Sequence, residues 1–270
     1  MIVDVAVLTY RGVNAQAYAC INDMLNYTKA QGHDVYTPGL VGSAIIHWSR
    51  NKMINGLRAD ADYVLLVDDD MAPRRDALVK LMAHDLPAVS AFCTTREEFP
   101  VRIAAQRYDR ENDVFWQLER IRPGALLKGD FMVGTAFLLL KKEVIDRAIE
   151  WYLDAQDWLA DNRKAFDRMH VRAEQREKER AYKSALRRAH YKKDGHHRAF
   201  DFAIIENQWQ IGEDATFCRN LLRMGVSVAL DSATTVAHIG WFPYSPANLD
   251  DKSAEDVLAR VSEDREAAVA

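Results

Sequence analysis

The run Tyr63-Val64-Leu65-Leu66-Val67, followed at once by Asp68, Asp69 and Asp70, constrains this chain more than any other stretch. Consecutive apolar residues leave no face for solvent, so the segment reads as a strand covered on both sides, the condition of a central strand in a parallel sheet. In open α/β sheets ligands bind beyond the carboxyl ends of such strands, and this one ends in carboxylates. An extended chain points Asp68 and Asp70 to one side and Asp69 to the other, which offers two hard oxygen ligands suited to Mg²⁺ or Mn²⁺ and poorly suited to zinc. A solvated turn capping the next helix would use the same residue types, so spacing alone leaves both readings open. Three acids at one strand end repel each other unless a cation or a basic group is close. Pro73 is expected at the first position of a helix running through Ala77, Leu78 and Leu81.

The flanking sequence repeats the pattern of strand, loop and helix. Ile2 to Leu8 reads as a strand with Thr9-Tyr10-Arg11-Gly12 as the loop at its carboxyl end. Ala17, Ile21, Met24 and Leu25 mark a helix that Gly32 ends, and His33 to Tyr36 a second strand. A helix over Trp48 to Leu57 precedes the aspartate strand; a helix over 74–84 and a strand over Ala88 to Phe92 follow it. This alternation predicts an α/β, doubly wound, mainly parallel, Rossmann-like sheet with right-handed crossovers. Residues 101–127 are less regular, with antiparallel strands expected around Val114 to Leu118. Lys128 to Ala136, which holds Gly129 and Gly134, leads into a short buried strand, Phe137 to Leu140, and a helix from near Lys142. The two glycines suit close approach of a ligand or close packing of strands.

From Glu150 to Ala199 the apolar spacing is that of a long helix or helical pair, and its stripe fades after Met169 while charge rises. Counting from Arg163 to Arg198 gives 13 Lys or Arg against 5 Asp or Glu, a local balance of +8, so the formal net charge of −4 leaves −12 for the rest of the chain. This basic stretch reads either as a solvated helix laced with Glu-Arg and Glu-Lys pairs or as a surface for a polyanion. Beyond it, Glu213 and Asp214 open a helix with Gly225 at its end, a place where the macrodipole alone accounts for acids. Strands are expected over Val226 to Leu230 and Val236 to Trp241, the second carrying His238. The tail after Ser245 reads as a short amphipathic helix. The expected organisation is one domain over 1–245, interrupted by the helical basic insertion at about 150–200, and a tail over 246–270.

The 270 residues suffice for a large core. Cys20, Cys93 and Cys218 are odd in number and lack metal-type spacing, so they read as thiols in a reducing compartment. No apolar run is long enough for a transmembrane helix, which makes a cytoplasmic protein the expectation.

The ordered set of Asp68-x-Asp70 on a strand, a glycine-bearing segment before a strand, Glu213-Asp214 opening a helix, and His238 beyond the next strand resembles the GT-A fold nucleotide-sugar glycosyltransferases. It is most similar to the family 2-type branch and its relatives from viruses of bacteria. The resemblance covers about residues 1–145 and 205–242. It implies that Asp70 coordinates a Mn²⁺ or Mg²⁺ ion on the donor diphosphate, that His238 adds a ligand, and that Asp68 assists the metal or approaches the ribose. It further implies Asp214 as general base in an inverting reaction with Glu213 beside it. Thr9, Tyr10, Arg11, Arg50, Asn51 and Asp69 fall to the nucleotide side, and Gly134, Thr135 and Trp241 to the acceptor side. The implied donor is a nucleotide sugar, a UDP-sugar by preference. For the acceptor, the basic 163–198 stretch and the Trp241-Phe242-Pro243-Tyr244 loop favour a hydroxylated base in DNA over a polysaccharide or lipid-linked acceptor. A nucleotidyltransferase and a polyanion-binding module without catalysis remain the competing classes.

Overall fold

The computed structural model describes residues 1–9, 14–38, 41–42, 46–94, 103–109, 114–118, 121–161, 199–200, 203–205, 209–239 and 243–244. Its centre is the aspartate strand, β4 (Tyr63–Asp68), which pairs in parallel with β1 (Ile2–Thr9) from Val3↔Tyr63 to Leu8↔Asp68. β2 (Asp34–Tyr36) continues the parallel sheet beyond β1, and the two-residue β3 (Val41–Gly42) pairs with the carboxyl end of β1. On the other side of β4 the order runs β11 (Phe137–Lys141), β6 (Ala88–Phe92), β14 (Ala229–Ile239) and β15 (Pro243–Tyr244).

Period-2 alternation sorts the side chains onto two faces. Val3, Val5, Val7, Leu65, Val67, Phe137 and Leu139 pack against α1 (Ala15–Ala30) and α3 (Ala77–Ala83). Ala6, Leu8, Val64, Leu66, Leu138 and Leu140 pack against α2 (Ile46–Asn55), α4 (Lys142–Asp161) and α5 (Glu213–Arg223). Val64, Leu65, Leu66 and Val67 are all fully buried because both faces are covered, which is why the run is apolar throughout. Asn14 caps α1 by accepting from Gln16 and Ala17, and Gly32 beyond its end takes φ +86°, as Gly225 beyond α5 takes φ +81°.

The sheet is α/β and largely parallel, but β11 runs antiparallel to both β4 and β6. After β6 the chain leaves the carboxyl edge and builds a separate antiparallel ladder of β7 (Ala105–Asp109), β8 (Val114–Gln117) and β10 (Phe131–Val133), while β9 (Leu126–Leu127) pairs with β14. It re-enters at Phe137 opposite Val67, from the end it left, and without a crossover helix it can only descend. β8 is the antiparallel strand expected around Val114. The helix expected from Lys142 continues into the start of the helical stretch expected from Glu150 as α4, which runs to Asp161; the rest of that stretch, to 198, lies outside the described residues.

Three other expectations are corrected. Pro73 ends a short strand, β5 (Met71–Pro73), paired antiparallel with β14, and α3 starts only at Ala77. Val226 to Leu230 and Val236 to Trp241 do not form two strands: β14 runs from Ala229 to Ile239, with a register shift between Asp231 and Thr235. That irregularity lets its first half pair in parallel with β6 and its second half antiparallel with β5 and β15. A hairpin of β12 (Ala203–Ile205) and β13 (Trp209–Ile211), unmarked by any turn signal, precedes α5. Among the described residues no helix is long and apolar enough to cross a membrane.

Leu65 is fully buried at the centre of β4, so Leu65→Ala is expected to cost about 2–5 kcal/mol through lost apolar contact and the cavity left behind. Urea unfolding measures it; a change within about 0.5 kcal/mol, the scale of surface substitutions, would contradict the central placement.

Candidate active site

The carboxyl ends of β1 and β4, the entry to β11, the first turn of α5 and the far end of β14 meet on one side of the sheet. β4 ends at Asp68, and Asp69 and Asp70 form the turn into β5. The extended-chain alternation expected for Asp68 and Asp70 therefore stops at Asp68, and the two carboxylates meet different partners. Both oxygens of Asp68 face Arg50 of α2, at 3.3 Å from Oδ1 and 3.5 Å from Oδ2 to Nη2. Asp70 Oδ1 lies 3.8 Å from Nε2 of His238. Register explains that meeting, because β14 pairs His238 with Met71, and the Ile239 amide donates to the Asp70 carbonyl at 2.7 Å.

Arg50 is the buried cation that the acids require. It is 1% exposed, its Nη2 lies 3.4 Å from Asp214 Oδ1, and its Nε lies 3.5 Å from Glu213 Oε1. Burial opposes its charge, but Asp68, Asp214 and Glu213 outweigh burial and hold the guanidinium more firmly protonated than usual. Burial is also the main reason the Asp68 carboxyl is pushed up to about 6; Arg50 pulls it down, while Asp214, Asp70 and Asp69 push it further up. The Asp68 side chain keeps 23% exposure, yet its Oδ1 is shut off from solvent and accepts no hydrogen bond. Glu213 is pushed up to about 7, first by burial and then by the charge of Asp214.

The N-cap of α5 is Gly212, which has no side chain to accept from the first-turn amides, and Glu213 and Asp214 occupy that turn. The macrodipole favours both. Their carboxylates are nonetheless committed inward: to Arg50, and for Asp214 also to the hydroxyl of Thr135, which donates to Oδ1. Thr135 is fully buried at the entry to β11, and the absent side chain of Gly134 leaves Asp214 Oδ2 at contact distance, 3.9 Å from where a Cβ would stand. Thr135 thus orients an acid.

His238 donates from Nδ1 to the carbonyl of Thr94 at 2.6 Å. A carbonyl can only accept, so in the neutral ring this bond fixes the tautomer and turns the Nε2 lone pair toward Asp70. An imidazole nitrogen and a carboxylate oxygen at that spacing suit Mn²⁺ or Mg²⁺, ions that retain waters and take the rest of their shell from substrate phosphates. The donor set therefore fits a divalent cation at Asp70 and His238. Among the described residues, however, no three His, Cys, Asp or Glu side chains group closely enough to hold one unaided.

Asn51 lies beside Arg50, but both ends of its amide are used within the chain. Its Oδ1 accepts from the Ala199 and Phe200 amides at 2.9 and 3.1 Å, and its Nδ2 donates to the Phe200 carbonyl at 2.8 Å. Thr9 is buried at the end of β1. The Asp69 carbonyl accepts from the Asn14 amide at 3.3 Å, tying the acid turn to the start of α1. Tyr10, Arg11, Trp241, the basic 163–198 stretch and the 246–270 tail lie outside the described residues. Sequence reasoning missed Thr94, whose carbonyl sets the His238 ring, and Phe200, whose ring lies 5.9 Å from the Arg50 guanidinium and stacks on Phe217 of α5 at 4.3 Å. The buried Cys93 thiol was read only as a core residue; burial pushes it up, and Asp68 and Asp70 add to the shift.

No family model matches the chain, and no curated protein matches it significantly. Among solved structures, A197 from STIV shares 11% identity over 92% of this chain and 91% of its own, with a TM-score of 0.49. The catalytic domain of Drosophila beta1,4-galactosyltransferase 7, solved with xylobiose, shares 12% over 55% of this chain and 52% of its own, TM-score 0.34. The 4-diphosphocytidyl-2C-methyl-D-erythritol synthase from Anaerococcus prevotii shares 13% over 56% and 75%, TM-score 0.32. With each of these three TM-scores below 0.5, the functional reading rests on the site itself.

The raised carboxyl of Glu213 sets the sign of a pH effect. Folding keeps its proton up to about pH 7, against 4.5 in the unfolded chain. Its contribution is therefore fully present below the unfolded value and is lost as pH rises through the folded one, and Asp68 acts in the same direction from 3.8 to about 6. In EDTA, the chain is expected to lose stability from about pH 4.5 to 7, and Glu213→Gln, which keeps the neutral shape, to flatten the upper part of that loss. Urea midpoints across this range would show it; identical slopes in both proteins would contradict a Glu213 that is neutral in the fold.

Proposed function

We propose that this chain is a glycosyltransferase that moves a sugar from a nucleoside diphosphate donor to an acceptor hydroxyl with inversion. The observation that carries the reading is the separation of two kinds of acid at one sheet end. Asp70 pairs with an imidazole, and Asp214 is aimed by Thr135 and lies beside Arg50.

Asp214 does the proton work. As the acceptor oxygen forms its bond to the anomeric carbon, the Asp214 carboxylate takes the hydroxyl proton, and the sugar–phosphate bond breaks with its electron pair leaving on the nucleoside diphosphate. Thr135 spends its hydroxyl on Oδ1, which leaves Oδ2, the oxygen facing Gly134, for the acceptor. Glu213, pushed up to about 7, adds a second negative charge beside the base only as the pH rises through that value. Asp70 and His238 would hold the divalent cation, which when bound offsets the charge developing on the departing diphosphate. Asp68 stays on Arg50 and flanks the nucleotide side with Thr9. For the acceptor we favour a hydroxylated base in DNA, on the basic 163–198 sequence.

Incubation with Mn²⁺ and a panel of UDP-sugars is expected to release UDP slowly, Asp214→Asn to lower that rate by about 10²–10⁴-fold, and chelator to suppress it. Pyrophosphate formed from sugar phosphate and NTP would instead make the chain a nucleotidyltransferase, and neither product would leave a binding module. For the acceptor, retention on duplex DNA is expected at low salt, falling steeply with ionic strength; no retention at low salt would remove DNA from the reading.

A further inference from the structure

Asp68 stands two residues from Asp70 but is engaged by Arg50 rather than by His238. Both of its oxygens face one nitrogen of Arg50, at 3.3 and 3.5 Å. Arg50 has little freedom to follow a carboxylate that moves. Its guanidinium is 1% exposed, and α2 is held by the three hydrogen bonds of Asn51 to the backbone of Ala199 and Phe200. The Phe200 ring beneath it is itself stacked on Phe217. No water can reach the guanidinium to replace a lost partner, so drawing Asp68 toward a cation would strip a buried charge of a counter-ion. The Asp70–His238 pair is left one protein ligand short, in keeping with the lack of any three-residue metal group among the described residues.

We propose that Arg50 is a positioning residue that withholds Asp68 from the cation site, so that among the described residues the free chain offers a divalent ion Asp70 and His238 alone, and the donor's diphosphate oxygens complete the shell. The cation therefore enters tightly only with the donor, and the acid cluster does not trap stray metal. The inference rests on the cation part of the proposed function and concerns this chain's own residues.

Mn²⁺ titration followed by the EPR signal of the free ion tests it without any turnover. The wild-type chain should bind Mn²⁺ weakly alone and markedly more tightly with UDP present. Without nucleotide, R50M should bind Mn²⁺ about tenfold tighter or more, because a third protein ligand becomes available. R50M/D68N should fall back to wild-type affinity, whereas R50M/D214N, of the same net charge, should keep the gain. Wild-type affinity in R50M, or a gain that survives in R50M/D68N, overturns the proposal. Should R50M fail to fold, R50Q carries the test: it keeps a polar side chain but no positive charge to hold Asp68, so tighter Mn²⁺ is again expected and unchanged affinity counts against it. D70N separates the two readings. Unaltered Mn²⁺ binding in D70N defeats the cation site itself, while loss in D70N alongside wild-type affinity in R50M defeats only the role of Arg50.

Discussion

A single buried guanidinium makes this site tenable. Asp68, Glu213 and Asp214 come from elements far apart in sequence, and gathering three carboxylates away from water would cost several kcal/mol per ion without a counter-charge. Arg50 supplies it from α2, and so links the strand that organises the sheet to the helix that carries Glu213 and Asp214. The arrangement does not close the electrostatic account. Asp68 and Glu213 hold their protons well above the ordinary range, through burial first and then through the neighbouring carboxylates. A site this acidic suits the divalent cation proposed for Asp70 and His238.

The scaffold around Arg50 is built to keep it still. Asn51 fastens α2 to Ala199 and Phe200, and the aromatic stack of Phe200 on Phe217 carries the same contact to α5. On the opposite edge, the pairing of β5 with β14 brings His238 beside the turn that holds Asp70, and the Thr94 carbonyl sets its ring. The chemistry thus sits on strand ends and helix starts rather than on long loops, the condition under which side chains can be held to the tolerance that proton transfer needs.

Much of the frame was legible in the amino-acid order because the forces that write it are local. The apolar run of β4, the helix terminators Gly32 and Gly225, and the acid pair opening α5 each follow from burial or backbone conformation within a few residues. What escaped depends on partners far along the chain. The antiparallel sense of β11 follows from where residues 93–136 travel, Pro73 is a strand residue because β14 lies beside it, and β14 is one strand because its irregularity near Asp231 serves two neighbours. Arg50 was placed on the nucleotide side and Thr135 on the acceptor side; in the fold one neutralises acids and the other orients one. A helical pattern shows that Arg50 lies on α2, but no local pattern shows that three carboxylates converge on it.

A crystal structure of the chain with Mn²⁺ and UDP, phased to reveal manganese, tests the account most directly. It predicts anomalous density about 2.1–2.3 Å from an Asp70 oxygen and from Nε2 of His238, on the UDP diphosphate, with Asp68 still against Arg50. Manganese and UDP bound elsewhere, or UDP seated with no metal between it and Asp70, would contradict it.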